Sequence, residues 1–230
     1  MKAVYFPSIN SNLKEIEVDG PQFLHLSKSL RVRVGDEVLA LNGNGLTCKC
    51  RVDKISKRSI ILVVIESKVI EKLQETDLAI CLPKKDAFEL IVRMSQEFGV
   101  NNLIPVKSKY SQFEIRNNER LNTILQSALI QSNSPYLTEI NKTLTLSELI
   151  NLFPRYEQIL FFSTEISGEK VEKICGKTLI IIGPEAGFDK EEVQVIKKQE
   201  SMMAVHLNCP ILRAPTATSA ALGMVSYLRN

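Results

Sequence analysis

Residues 178–193, T-L-I-I-I-G-P-E-A-G-F-D-K-E-E-V, and residues 203–222, M-A-V-H-L-N-C-P-I-L-R-A-P-T-A-T-S-A-A-L, carry the reading on which the rest of the chain depends. Residues 179–182 form an apolar, β-branched run too short for a helix and bounded by Gly183 and Pro184, which predicts a buried strand. Asp189 precedes Glu192 by three residues. That is capping-box spacing, so a helix is expected to start there with Val193 and Ile196 turned inward. The glycine-rich loop from Gly183 to Phe188 then lies between a strand end and a helix start, where open α/β sheets bind ligands. Residues 203–207 repeat the pattern as a second short apolar strand, opening into residues 208–215 and a helix over about 216–229.

The chain has 230 residues, 44% hydrophobic and 24% charged, with a formal net charge of +3. This composition describes a globular chain of one or two domains, long enough for a sizeable core. The first ten residues hold a lysine but no continuous apolar segment ahead of Pro7 and Ser8, so no signal peptide is expected. No apolar run approaches the length of a membrane span. The five cysteines, Cys48, Cys50, Cys81, Cys175 and Cys209, are odd in number and lack C-x-x-C spacing. They predict reduced thiols of a cytoplasmic protein, with no metal site. A charge of +3 does not identify a nucleic-acid partner, although clustered basic residues can still form a local binding face. The sequence has neither G-x-G-x-x-G after a first strand nor G-x-x-x-x-G-K-[ST], so neither a dinucleotide fingerprint nor a P-loop is supported.

The N-terminal part reads as short strands and turns. A helix is expected from Asp19 and Pro21 through Leu30, with strands at 37–41, 46–55 and 59–66. The first two strands are joined through Asn42-Gly43-Asn44-Gly45, a hairpin signal. Arg31, Arg33, Lys49, Arg51, Lys54, Lys57 and Arg58 are interleaved with these strands, as a solvated face or as an RNA-facing one. The polar stretch between Ser67 and Thr76 reads as a connection between a domain at 1–70 and one at 71–230. In the second domain, a strand at 77–82, a helix capped by Asp86 with Glu89, a stop at Gly99 and a strand at 102–106 make a βαβ unit and hence a parallel sheet. Alternation continues with a helix at 118–132, a strand at 137–140, a helix at 146–152 and a strand at 158–162. The loop from Ser163 to Gly168 therefore lies at a third strand end.

G-P-E-A-G-F followed by I-L-R-A-P-T-A resembles the closing motifs of the RsmE family of ribosomal RNA methyltransferases, in the SPOUT superfamily, whose patterns are close to G-P-E-G-G and L-G-x-R-I-L-R-x-E-T-A. Residues 84–100, K-K-D-A-F-E-L-I-V-R-M-S-Q-E-F-G-V, are similar to the family's helix after the first strand of its catalytic domain, with Lys84, Glu89, Glu97, Gly99 and Val100 in matching places. The resemblance implies an α/β fold whose SPOUT-type C-terminal domain holds a deep trefoil knot, preceded by a small PUA-like β-barrel that binds RNA. Knots of this kind are exceptions to ordinary chain topology. It also implies transfer of a methyl group from S-adenosyl-L-methionine to N3 of a uridine in 16S ribosomal RNA. The expected substrate is ribosomal RNA or the assembled small subunit, and the expected state is a homodimer packed through the final apolar helix.

The same resemblance assigns residues. Ser163, Gly183, Glu185, Gly187, Leu207, Asn208, Ile211 and Leu212 would hold the cofactor, and His25, Arg31 and Arg33 would contact RNA. Arg213 would favour the anionic form of the acceptor base, with Glu185 as a second catalytic candidate. The plainer alternatives are a packing role for His25, a surface salt bridge for Arg213 and a helix-dipole role for Glu185. The chain departs from the family pattern at several places. Ala87 and Met94 stand at usually basic positions, and Ile130-Gln131-Ser132-Asn133-Ser134 stands for E-Q-S-G-R. Asn208 stands for glycine, Pro210 for arginine, and Ala214-Pro215 for threonine and glutamate. These departures leave open a knotted enzyme acting on another RNA, or a non-catalytic RNA-binding relative.

Overall fold

The computed structural model describes every residue except 1, 73–74, 109–110, 112–113, 116, 163–167, 169, 185–186, 200–201 and 230. The chain forms two compact units. One comprises Met1–Lys72 together with Gln126–Leu137, and the other Leu73–Leu125 with Thr138–Asn230.

The first unit begins with strands β1 (Ala3–Tyr5) and β2 (Glu15–Val18). Helix α1 (Gly20–Leu24) follows and continues as a π-wound turn over His25–Ser29. The single helix expected through Leu30 is thus one α-turn and one wider turn. Ser27 Oγ donates to the Phe23 carbonyl at 2.7 Å, and the Leu30 N–H reaches back five residues to His25 at 3.0 Å. Such local side-chain bonds compete with the regular ladder. Leu26 is fully buried by this winding. Strands β3 (Glu37–Leu41), β4 (Leu46–Ile55) and β5 (Ile60–Val69) follow.

The sheet order is β1-β3-β4-β5-β2, with β1 parallel to β3 and the other pairs antiparallel. Among the described residues β1 and β2, at the two ends of this path, do not pair with each other, so the expected barrel is a curled half-barrel. Alternate residues of β4, Leu46, Cys48, Cys50 and Val52, point into a core shared with Val4, Val18, Leu26 and Leu62. The hairpin turn is held by Asn42 Oδ1, which accepts from the backbone of Asn44 at 2.7 Å and Leu46 at 3.0 Å. Residues 126–137 close over part of this sheet: Leu129, Ile130 and Leu137 pack with Ala3, Tyr5 and Leu41. The Leu137 N–H donates to Gly43 at 2.8 Å, and Tyr136 Oη donates to the Ile70 carbonyl at 2.6 Å. A domain confined to residues 1–70 would lack this cover.

The second unit contains β6 (Thr76–Cys81), α2 (Lys85–Glu97), β7 (Asn102–Lys107) and the first turns of α3 (Asn118–Ser132). After α3 come β8 (Glu139–Ile140), β9 (Leu144–Thr145), α4 (Leu146–Ile150) and β10 (Gln158–Phe162). The chain closes with β11 (Thr178–Ile182), α5 (Lys190–Lys197), β12 (Met202–Val205) and α6 (Ala214–Leu228). The strands run parallel in the order β12-β10-β11-β6-β7-β8, with β9 also on β7. Every residue of β6 and β11 is buried, as a sheet covered on both faces requires.

The strand expected at 137–140 contracts to two residues, Glu139–Ile140, and Leu137 belongs to the first unit, where it bonds Gly43. The capping box expected at α2 is absent. Lys84 is the N-cap, and Glu89 instead receives two bonds from Arg120, at 2.7 and 2.8 Å. At the amino ends of the strands, buried Asp77 accepts from Asn102 Nδ2 at 2.9 Å and from Tyr156 Oη at 2.7 Å. Burial, and then this carboxylate, raise the Tyr156 phenol well above its ordinary value. That end is closed by buried polar groups around Asp77, and the carboxyl ends are where chemistry can be placed.

Candidate functional site

A cavity of about 130 Å³ lies at the carboxyl ends of three adjacent parallel strands. Their last residues are in register, Phe162 of β10 facing Ile182 of β11 on one side and Val205 of β12 on the other. All three line the cavity. Of the residues assigned to the cofactor from sequence, Gly183, Gly187, Leu207, Ile211 and Leu212 are in its wall. Asn208 is exposed and outside that wall, while Ser163 and Glu185 lie outside the described residues. The sequence reading missed the strand-end residues Phe162, Ile182 and Val205 together with Phe188, His206 and Cys209. The signal for the first three was available, because parallel strands that end level with one another present their last side chains to the same crevice.

The first loop is shaped by packing. Phe188 is buried and tilts against Phe161, with ring centroids 5.3 Å apart. Its ring leaves no room for a side chain at position 183, where a Cβ would meet Cε2 at 2.6 Å. The Gly187 N–H donates to the Pro184 carbonyl at 2.9 Å, with Gly187 at φ +76, a conformation suited to glycine. The expected capping box at α5 is present. Asp189 Oδ1 accepts from the Glu191 and Glu192 backbones at 2.9 and 2.8 Å, and Glu192 Oε2 accepts from Asp189 N at 2.9 Å. Such a cap contributes about 1 kcal/mol and fixes where the loop ends.

The second loop is more open. Ile211 is 83% exposed, and Leu212 is half-buried. Within the described residues the backbones of both make no hydrogen bond, so their donors and acceptors face the cavity mouth or solvent. Arg213 is the exposed N-cap of α6, with φ −69 and ψ 154. Its side chain makes no cap bond, and no acidic residue occupies the first turn of α6. Among the described residues its guanidinium has no ion-pair partner. The salt-bridge alternative therefore has no partner there. A cation at the positive end of a helix dipole is unfavourable by about 0.3–1 kcal/mol, a cost that an anionic ligand would reverse.

Apolar walls, glycines in the first loop and unpaired backbone groups at the rim suit a flat heterocycle with a short polar tail. The expected S-adenosylmethionine fits that chemistry.

In the first unit, His25 is half-buried, with Nε2 buried and unpartnered among the described residues. Arg31 is exposed at φ +49. Arg33 is exposed beside a turn in which Asp36 accepts from the Arg33 backbone at 2.9 Å and pairs with Lys2 at 2.7 Å. The basic face is narrower than the sequence suggested. Lys49 pairs with Glu37 at 2.8 Å and stands opposite Glu66, and Arg51 stands opposite Glu37.

Residues 71–226 match the family described as RNA methyltransferase domain, and residues 18–65 match the RNA methyltransferase PUA domain. Ribosomal RNA small subunit methyltransferase E of Rickettsia conorii is 26% identical over 96% of this chain and 94% of its own. The protein of the same name from Aquifex aeolicus is 29% identical over 88% of this chain and 90% of its own. A solved structure of the Neisseria gonorrhoeae enzyme of that name, bound to S-adenosyl methionine, has a TM-score of 0.85. It is 22% identical to this chain, covering 100% of it and 98% of its own length. The two strand-loop-helix motifs, the parallel sheet and a family match spanning more than half the sequence agree, and the chain belongs to the RsmE family of RNA methyltransferases.

Proposed function

We propose that the protein is an S-adenosylmethionine-dependent methyltransferase acting on N3 of a uridine in small-subunit ribosomal RNA, as a homodimer in the cytoplasm. The observation that carries this reading is the cavity where both family motifs meet at three level strand ends. Gly183, Gly187, Leu207, Ile211 and Leu212 would hold the cofactor, with Ser163, Glu185 and Asn208 as further candidates from sequence. When bound, S-adenosylmethionine supplies an electrophilic methyl group on a sulfonium.

The chain's own residues have two tasks. The cavity walls hold the reactants in line and exclude water, and orientation of this kind can supply much of the rate. Uracil N3–H is a weakly acidic imide that must lose its proton to become a nucleophile. Arg213 is exposed and lacks a carboxylate partner among the described residues, so it is suited to stabilise the charge that develops on the ring. Glu185 remains a second candidate on sequence grounds. His25, Arg31 and Arg33 would contact RNA from the first unit.

A second reading keeps the fold and cofactor and changes the RNA. It is favoured by Ser134, Pro210 and Pro215, uncharged residues at positions where the family carries charge. The test is calorimetric titration with S-adenosylmethionine, together with mass mapping of modified bases in ribosomal RNA from a deletion strain. A missing methyl on one small-subunit uridine, restored in isolated subunits by the purified protein and cofactor, is the expected result. No heat of cofactor binding would sink the enzymatic reading, and an intact ribosomal RNA map would favour the second RNA.

A further inference from the structure

We infer that a second cavity, of about 590 Å³ at the carboxyl end of β7 and the start of α2, binds a nucleotide of the RNA strand whose target base enters the first. This rests on the methyltransferase reading and extends it to how substrate is held. Lys107, the last residue of β7, and Lys85, the first of α2, line the cavity. Phe88 and Leu121 contribute apolar wall, and Asn117 a polar one. The volume falls within the roughly 300–1,000 Å³ typical of small-ligand pockets.

Charge decides what this cavity accepts. Arg120 is committed to Glu89 through two bonds, at 2.7 and 2.8 Å, and these bonds hold the Glu89 carboxyl below its usual range. Lys85 and Lys107 are exposed and form no ion pair among the described residues. Lys85 also sits at the start of a 13-residue helix, where the dipole disfavours a cation. Glu89, on which Lys85 also acts electrostatically, and Glu114 line the same cavity. Three cations, Lys85, Lys107 and Arg120, outnumber these two carboxylates, and two ammonium groups without an ion pair beside an apolar wall suit a phosphate with its attached base.

Geometry ties the two cavities together. Ile182 of β11 is level with Ile80 of β6, which is level with Pro105 of β7. Both cavities therefore open along one edge of the sheet. β7 lies two strands from β11, roughly 10 Å away at the usual strand spacing. Neighbouring nucleotides of one single strand can occupy both.

The experiment compares wild type with Lys85→Gln/Lys107→Gln, using purified small subunits and a single-stranded oligouridylate as probes over a range of salt. Loss of two phosphate contacts is expected to weaken RNA binding about tenfold. It should also reduce the slope of log affinity against log salt by about 1.4, at roughly 0.7 per contact on single strands. Cofactor affinity and melting temperature should not change. Lys197→Gln/Lys198→Gln, which removes equal charge from the end of α5, should bind RNA as wild type does. An unchanged slope, an equal loss in the α5 variant, or a loss shared by RNA and cofactor would overturn the inference. RNA binding is read here without methylation. A protein that binds through these lysines but never methylates would defeat the proposed function and leave this site standing.

Discussion

At the scale of single residues, Arg213 carries the mechanistic reading. Leu212 and Ala214 on either side of it line the cavity, and Pro215 sits in the first turn of α6, so the backbone is fixed while the guanidinium stays exposed. Arg213→Ala should lose on the order of 2–4 kcal/mol of transition-state stabilisation if it serves as an oxyanion-type donor. Arg213→Lys keeps the charge without the planar fork and should retain part of the rate. Single-turnover methylation of small subunits beside a cofactor titration separates the effects, and near-normal turnover by the alanine variant would sink the role. Some departures from the family pattern that looked serious in sequence have simple physical readings. Asn133, in place of glycine, ends α3 at φ +53, with the Ser134 N–H donating to Leu129 at 3.1 Å and the Asn133 N–H to Ile130 at 3.4 Å. That is a Schellman closure, and asparagine is the residue after glycine best able to adopt it. Asn208, also in place of glycine, is not among the positive-φ residues, so its backbone does not require glycine.

At the scale of elements, local chemistry was legible where the bonds are local, and less so elsewhere. Asp189 and Glu192 are three apart and close the box on each other, so α5 starts where the spacing said it would. Asp86 and Glu89 have the same spacing. Glu89 is taken by Arg120, 31 residues away, and no local rule anticipates that. The π-wound turn after α1 was equally invisible, because it depends on Ser27 bonding Phe23 while Leu26 enters the core. That turn leads into the loop bearing Arg31 and Arg33, exposed while the neighbouring strand cations face acids. Arg31→Glu/Arg33→Glu should therefore weaken RNA binding and flatten its salt dependence, by about 1.4 in slope for two lost contacts. Cofactor affinity in the same preparation should stay constant. Unchanged RNA affinity in a salt titration would remove the first unit from substrate binding.

At the scale of the whole molecule, the placing of residues 126–137 with the first unit, which leaves both units discontinuous, was not legible in the sequence. Leu129, Ile130 and Leu137 belong with Ala3 and Leu41, more than 80 residues earlier, and hydrophobic periodicity carries no information about such distant partners. Oligomeric state is likewise not written in a single helix, but surface chemistry bears on it. α6 packs beside α2, and Tyr227 of α6, Leu90 of α2 and Phe98 directly after α2 are 78%, 45% and 39% exposed. Exposed large apolar side chains on adjoining helices favour association where they form one patch, whereas singly scattered ones need no explanation. We infer that two copies pair through this face, the same patch on each, as a two-fold dimer requires. Light scattering at micromolar concentration should then return twice the 25.9 kDa of one chain. Tyr227→Glu would set like charges against each other across the axis and should shift the population to single chains without lowering the melting temperature of the unit itself. A single-chain mass for the unaltered protein, or a dimer indifferent to Tyr227→Glu and Phe98→Glu together, would mean that these helices serve only their own sheet.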